Sequence, residues 1–142
     1  EAWVGYARKI YLSGVEVNQM MKVIGEEGTT TQDFILYMKS EFLDSVYFQQ
    51  NSFDEVDAAV DVERQTYTFN KVVKILASEF DLGNKDDARA FFNQLRQKFI
   101  DWNYSEWNGD KFKSNEKDID ELYASKNGKV SSQVAQMLKD GE

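Results

Sequence analysis

No proline occurs anywhere in the 142 residues. At the usual ~5% about seven would be expected. Their absence removes the main helix breaker and points to long, uninterrupted helices. Cysteine and histidine are also absent. That excludes disulfides, thiolate nucleophiles, cysteine zinc sites, Ser-His triads, imidazole ligands and histidine proton shuttles. Ten Phe, seven Tyr and three Trp are ample for a packed core, so the composition is not that of a disordered chain. The formal net charge of −8 opposes binding to nucleic acid or to an anionic membrane, since both need a cationic face. No apolar run approaches the ~18 residues of a transmembrane helix. The chain begins Glu1-Ala2-Trp3 with neither an initiator Met nor a secretory signal, which fits a piece of a longer protein.

Apolar spacing is helical almost throughout. Val4, Ala7 and Tyr11 start one pattern, and Val17, Met20, Met21 and Ile24 continue it. Gly25 and Gly28 then interrupt. Thr30 and Asp33 form a helix-start signal. The helix that follows carries Ile35, Met38, Phe42 and Val46 and ends at the polar stretch Gln49–Ser52. A further helix is expected through Phe69, Val72, Val73, Leu76 and Phe80, stopping at Gly83. Asn84 is a good N-cap, with Asp86 and Asp87 in the first turn. Ala88, Phe91, Phe92, Leu95, Phe99 and Trp102 give the clearest amphipathic segment. Asn103 to Asn115 is expected as a loop, Ile119 to Tyr123 as a short helix, and Val130 to Leu138 as a final one. No stretch alternates with period two. The expected architecture is all-α, an antiparallel helical bundle, in one domain over residues 1–142.

Familiar chemistry is mostly missing. The only Gly-Lys, Gly128-Lys129, is followed by Val130 and lacks the upstream glycine of a triphosphate-gripping loop. The 110–121 window has Phe112 and Asn115 where a calcium loop needs an acid and a glycine. Asp110, Asp118, Asp120 and Glu121 are more simply a solvated acidic face. Glu41, Asp44, Asp54, Glu55, Asp57, Asp61 and Glu63 include no Lys or Arg among them. That run is a solvated surface, a patch for a basic partner, or a source of paired carboxylates. Gln49-Gln50-Asn51-Ser52-Phe53 sits at a helix end. It is either a polar cap with a tucked aromatic or a stacking aromatic beside amides, suited to a planar base. Glu26-Glu27-Gly28-Thr29-Thr30-Thr31 is a polar tip between two amphipathic helices: a plain turn, or a finger touching a neighbouring protein.

Two stretches resemble a known family. Phe48-Gln49-Gln50-Asn51-Ser52-Phe53-Asp54-Glu55-Val56-Asp57 resembles the Leu-Gln-Gln-Asn-Ala-Phe-Asp-Glu-Val-Asp signature of the catalytic chain of the V-type (archaeal and bacterial V/A-type) ATP synthases. Val15 to Gly25 is similar to that family's helix leading into the loop before the signature. The likeness is close over about residues 1–80, most of all from Val15 to Leu76. It is thinner over 84–142, a divergent helical extension.

The resemblance implies the C-terminal helical domain of the catalytic subunit of an ion-translocating rotary ATPase. Phe53, Gln50 and Asn51 would belong to the adenine pocket, with Ala59 where relatives usually carry a second aromatic. Glu26, Glu27, Gly28, Thr29, Thr30, Thr31 and Asp33 would form the finger that meets the rotor shaft. ATP or ADP with Mg is implied for the parent subunit, with no cofactor and no activity expected of this piece alone. The implied partners are B subunits and central-stalk rotor subunits, and the implied location is the soluble, cytoplasmic ATPase head, peripheral to the membrane. The implied work couples ATP synthesis or hydrolysis to rotation and to proton or other ion transport. Without the resemblance, a stand-alone acidic helical adaptor is the rival reading and a carboxylate-only hydrolase a third.

Overall fold

The structure is a computed structural model, and it describes residues 2–48 and 58–140. Six helices carry almost all of it. They are α1 (Ala2–Ile24), α2 (Thr31–Leu43), α3 (Ala58–Leu76), α4 (Lys85–Tyr104), α5 (Asp110–Ser125) and α6 (Ser132–Asp140). A π-helical segment, Asp44–Phe48, continues α2. The all-α expectation holds, with one small addition described below.

α1 and α2 form a tight antiparallel hairpin. At Gly14 the two backbones approach closely. A Cβ there would lie 2.6 Å from the carbonyl oxygen of Leu36 and would also strike Ser40, so only glycine fits. α1 ends at Gly25, whose φ of +83° is left-handed and whose N–H donates to the Met21 carbonyl at 2.8 Å. α2 starts where the sequence signals it. Thr30 is extended, and its Oγ1 accepts from the Asp33 N–H at 3.1 Å.

α4 is the centre of the core. Its Ala88, Phe91, Phe92, Leu95, Phe99 and Trp102 are all buried, on one stripe. Phe42 of α2 meets that stripe edge-on, with ring centroids 5.0 Å from Phe99 and 6.4 Å from Phe92. α5 covers the far side, where Phe112 stacks on Trp102 at 4.9 Å. The capping at the start of α4 is as expected, with Asn84 Oδ1 accepting from the Asp87 N–H at 2.8 Å.

Three local expectations change. The helix through Leu76 does not continue to Phe80. The chain turns extended at Ser78–Glu79, which pairs antiparallel with Lys129–Val130 in the register Ser78↔Val130 and Glu79↔Lys129. Two side chains hold this break. Lys39 Nζ donates to the Ser78 carbonyl at 2.9 Å, and the Ser78 hydroxyl shares a hydrogen bond with the Tyr123 hydroxyl at 2.7 Å. Phe80 still reaches the core, 4.7 Å from Phe91, but from an extended segment. Secondly, the Asn103–Asn115 stretch is mostly helix. α4 runs to Tyr104 and α5 starts at Asp110, leaving a short turn in which Asn108 takes a φ of 61°. Thirdly, Val130 lies in the strand pair, and the last helix begins at Ser132.

Candidate functional site

The residues expected to form the finger, Glu26 to Thr31 and Asp33, lie in the turn between α1 and α2 and in the first turn of α2, all among the described residues. Glu26, Glu27 and Gly28 are exposed at the tip. Thr29 is buried beneath them. Its hydroxyl donates to the Gly25 carbonyl at 2.9 Å, and its N–H donates to the Glu26 carbonyl at 3.0 Å. Thr30 caps α2, Thr31 opens it, and Asp33 lies in its first turn, where a carboxylate complements the positive helix end. Thr29, Thr30 and Asp33 thus shape the turn, while Glu26, Glu27 and Gly28 face outward.

Apolar side chains flank the tip. Val23 is 85% exposed, with Ile24 and Met20 about half exposed beside it. Fragmentary apolar exposure of this kind is common, but here it lies next to a projecting acidic turn.

Two α4 residues that the sequence did not mark also belong to this end. Arg89 bonds the Glu26 carboxylate through Nη2 and Asp86 through Nη1, the latter at 2.7 Å. Lys85 Nζ donates to the Glu26 carbonyl at 2.6 Å. The only sequence signal was the Asp86–Arg89 spacing of three, and nothing local links either residue to a turn some sixty positions earlier.

At the opposite end, α2 and its π-helical continuation run from Thr31 to Phe48. At about 1.5 Å per residue this is about 25 Å of helix. Gln50, Asn51 and Phe53 lie outside the described residues, as does the side chain of Ala59. Nearby, the Tyr47 ring packs on Phe69 at 5.0 Å, and Asn103 Nδ2 donates to the Val46 carbonyl at 3.1 Å. These contacts tie the end of the α2 axis to α3 and α4.

Nothing described resembles a phosphate or metal site. Gly128 leads into the strand pair, and a Cβ there would meet the Tyr123 ring at 2.7 Å, so its small size serves packing. Among the described residues no group of three metal-ligating side chains converges. Asp110 and Glu121 are exposed, as a solvated face requires, whereas Asp118 lies 3.8 Å from the Lys98 ammonium and Asp120 is paired with Lys71. Lys71 bridges Glu116 at 3.0 Å and Asp120 at 2.8 Å, joining α3 to α5. No described helix is long and apolar enough to cross a membrane.

Residues 4–87 match the family described as the C-terminal domain of V and A type ATP synthase. The chain belongs to this family. It is 48% identical over 136 residues to the V-type ATP synthase alpha chain of Treponema denticola, covering 96% of this chain and 23% of that one. It is 45% identical over 139 residues to alpha chain 1 of Treponema pallidum, covering 98% and 24%. With the alpha chain of Borrelia duttonii it shares 52% identity over 121 residues, covering 85% and 21%. The chain therefore spans less than a quarter of the length of these relatives. No solved structure matches it significantly. The family covers the α1–α2 hairpin, all of α3 and the capped start of α4 of this V/A-type domain.

Proposed function

We propose that this chain is a single helical domain acting as a lever in the catalytic subunit of a rotary ATPase or ATP synthase. One end supplies Phe53, Gln50 and Asn51 to the adenine pocket of bound ATP or ADP. The other, the Glu26–Asp33 finger, bears on the central-stalk rotor. B subunits are its neighbours in a head peripheral to the membrane. The phosphates and Mg belong to another part of the parent protein, and the chain alone turns over no ATP.

The observation that carries this reading is the α1–α2 hairpin of a V/A-type C-terminal domain. A packed axis of about 25 Å runs from an exposed turn to Phe48, two residues before Gln50 in sequence. A lever must be stiff, and the aromatic packing of α2 on α4 supplies stiffness. Nucleotide drives it by binding the closed arrangement better than the open one. Family membership favours this reading over a stand-alone adaptor.

In the intact parent protein, Phe53→Ala weakens nucleotide affinity by about 1–3 kcal/mol, the scale of one base-stacking aromatic. Fluorescence titration with an adenine nucleotide measures it. Unaltered affinity takes Phe53 out of the pocket.

A further inference from the structure

Lys85 and Arg89 stand in the first two turns of α4, four residues apart on one face. Cations are disfavoured at the positive end of a helix, and Asp86 and Asp87 already satisfy that dipole. The two cations instead converge on one residue of another element. Lys85 holds the backbone carbonyl of Glu26, and Arg89 holds its carboxylate. The Arg89 guanidinium also lies 5.1 Å over the ring of Phe34, which is 1% exposed in the first turn of α2. Glu26, Phe34 and Asp86 thereby meet at a single guanidinium. Arg89 lies just beyond the stretch matched by the family.

We propose that Arg89, assisted by Lys85, is a positioning latch that fixes the Gly25–Thr30 turn to the start of α4. The turn, α2 and α4 then move as one body. The latch stands on contacts within this chain. Only its purpose, passing force through the finger, rests on the lever reading above. One consequence concerns the outer face of the finger. Glu26 stays partly exposed but its charge is compensated by Arg89, so the uncompensated acid at the tip is Glu27, beside the exposed Val23 and Ile24.

A single exposed ion pair is worth little, so the test must read the turn itself rather than global stability. Thr29 is a suitable reporter, because its N–H donates to the Glu26 carbonyl inside the turn. Amide hydrogen exchange is measured on the 142-residue chain, with Leu95 and Phe99 as core references. Arg89→Met keeps an aliphatic stem over Phe34 and removes the charge. It speeds Thr29 exchange about threefold, and Lys85→Ala added to it raises this to about tenfold, while the references do not change. Arg89→Lys, which keeps the charge, restores part of the protection. Salt at about 1 M speeds Thr29 exchange in the unsubstituted chain and has no effect in the Arg89→Met, Lys85→Ala variant. Thr29 exchange that is the same in that variant as in the unsubstituted chain overturns the latch. So does Arg89→Lys behaving like Arg89→Met. Neither result touches the lever reading, which is tested by contact with the rotor in the assembled enzyme.

Discussion

Phe42→Ala lowers the unfolding free energy of the chain by about 3–5 kcal/mol, the usual cost of removing a buried phenyl ring. Phe42 is 1% exposed and lies where α2 crosses α4, at right angles to Phe99 and edge-on to Phe92. Its loss forfeits the apolar transfer energy and leaves a cavity between two long helices that cannot close on it without shifting. Edge-to-face geometry adds about 0.5–1.5 kcal/mol beyond burial for such pairs. Urea titration followed by circular dichroism measures the change, with an unchanged slope showing that the unfolding remains cooperative. Tyr104→Ala is the control. That side chain is 73% exposed in the last turn of α4, and its loss costs less than about 0.5 kcal/mol. Under the proposed lever function the same interface supplies the stiffness, and Phe42→Ala in the intact parent protein would then lower coupling efficiency as well as stability.

The second large effect is a rise in stability from pH 8 to pH 10. Lys39 is 9% exposed, and burial lowers its ammonium to about 8 from 10.5, partly offset by Glu79. Its Nζ donates to the Ser78 carbonyl at 2.9 Å. Below pH 8 the ammonium is charged in both folded and unfolded chains, and the cost of burying it is fully present. Between pH 8 and 10.5 the unfolded chain binds more protons, so stability increases with pH. Over pH 8 to 10 the gain is about 2 kcal/mol. Above pH 10 the gain is opposed, because burial raises Tyr6 and Tyr37 and the folded chain then holds protons that the unfolded chain releases. Lys39→Met removes the slope. At neutral pH it removes the cost of burying the charge but leaves the buried Ser78 carbonyl without that donor, a loss of about 1–3 kcal/mol that offsets the gain. Urea midpoints at pH 8, 9 and 10 for both chains measure it. An equal slope in both would show that Lys39 is not the group responsible.

The helices were legible wherever a local signal sufficed. The α4 stripe from Ala88 to Trp102 was readable because six buried residues recur at helical spacing on one face of one helix. The starts at Thr30 and Asn84 were readable because capping acts over three residues. The end of α3 was not. Phe80 falls four residues after Leu76 and mimics a continuing helix, whereas the break is imposed by Lys39 and Tyr123 from distant elements. The polar composition of Asn103–Asn115 suggested a loop and concealed the start of α5, where the buried Phe112 is the one strong apolar signal. At the finger, the sequence located the turn but not what holds it. Lys85 and Arg89 are more than fifty residues away, and a contact across that separation leaves no trace in spacing. The proposed adenine-pocket role of Gln50, Asn51 and Phe53 rests on a signature rather than on physics, and these residues lie outside the described ones.

In the proposed function the finger touches the rotor and nucleotide governs the touch. The chain has no cysteine, so Glu27→Cys places one thiol at the exposed tip of this domain. A short photoactivated cross-linker is attached to it in the assembled enzyme, and adducts are identified with and without ATP. The lever account predicts an adduct with a central-stalk protein whose yield changes with nucleotide. An adduct confined to other components, or a rotor adduct formed equally with and without nucleotide, contradicts it.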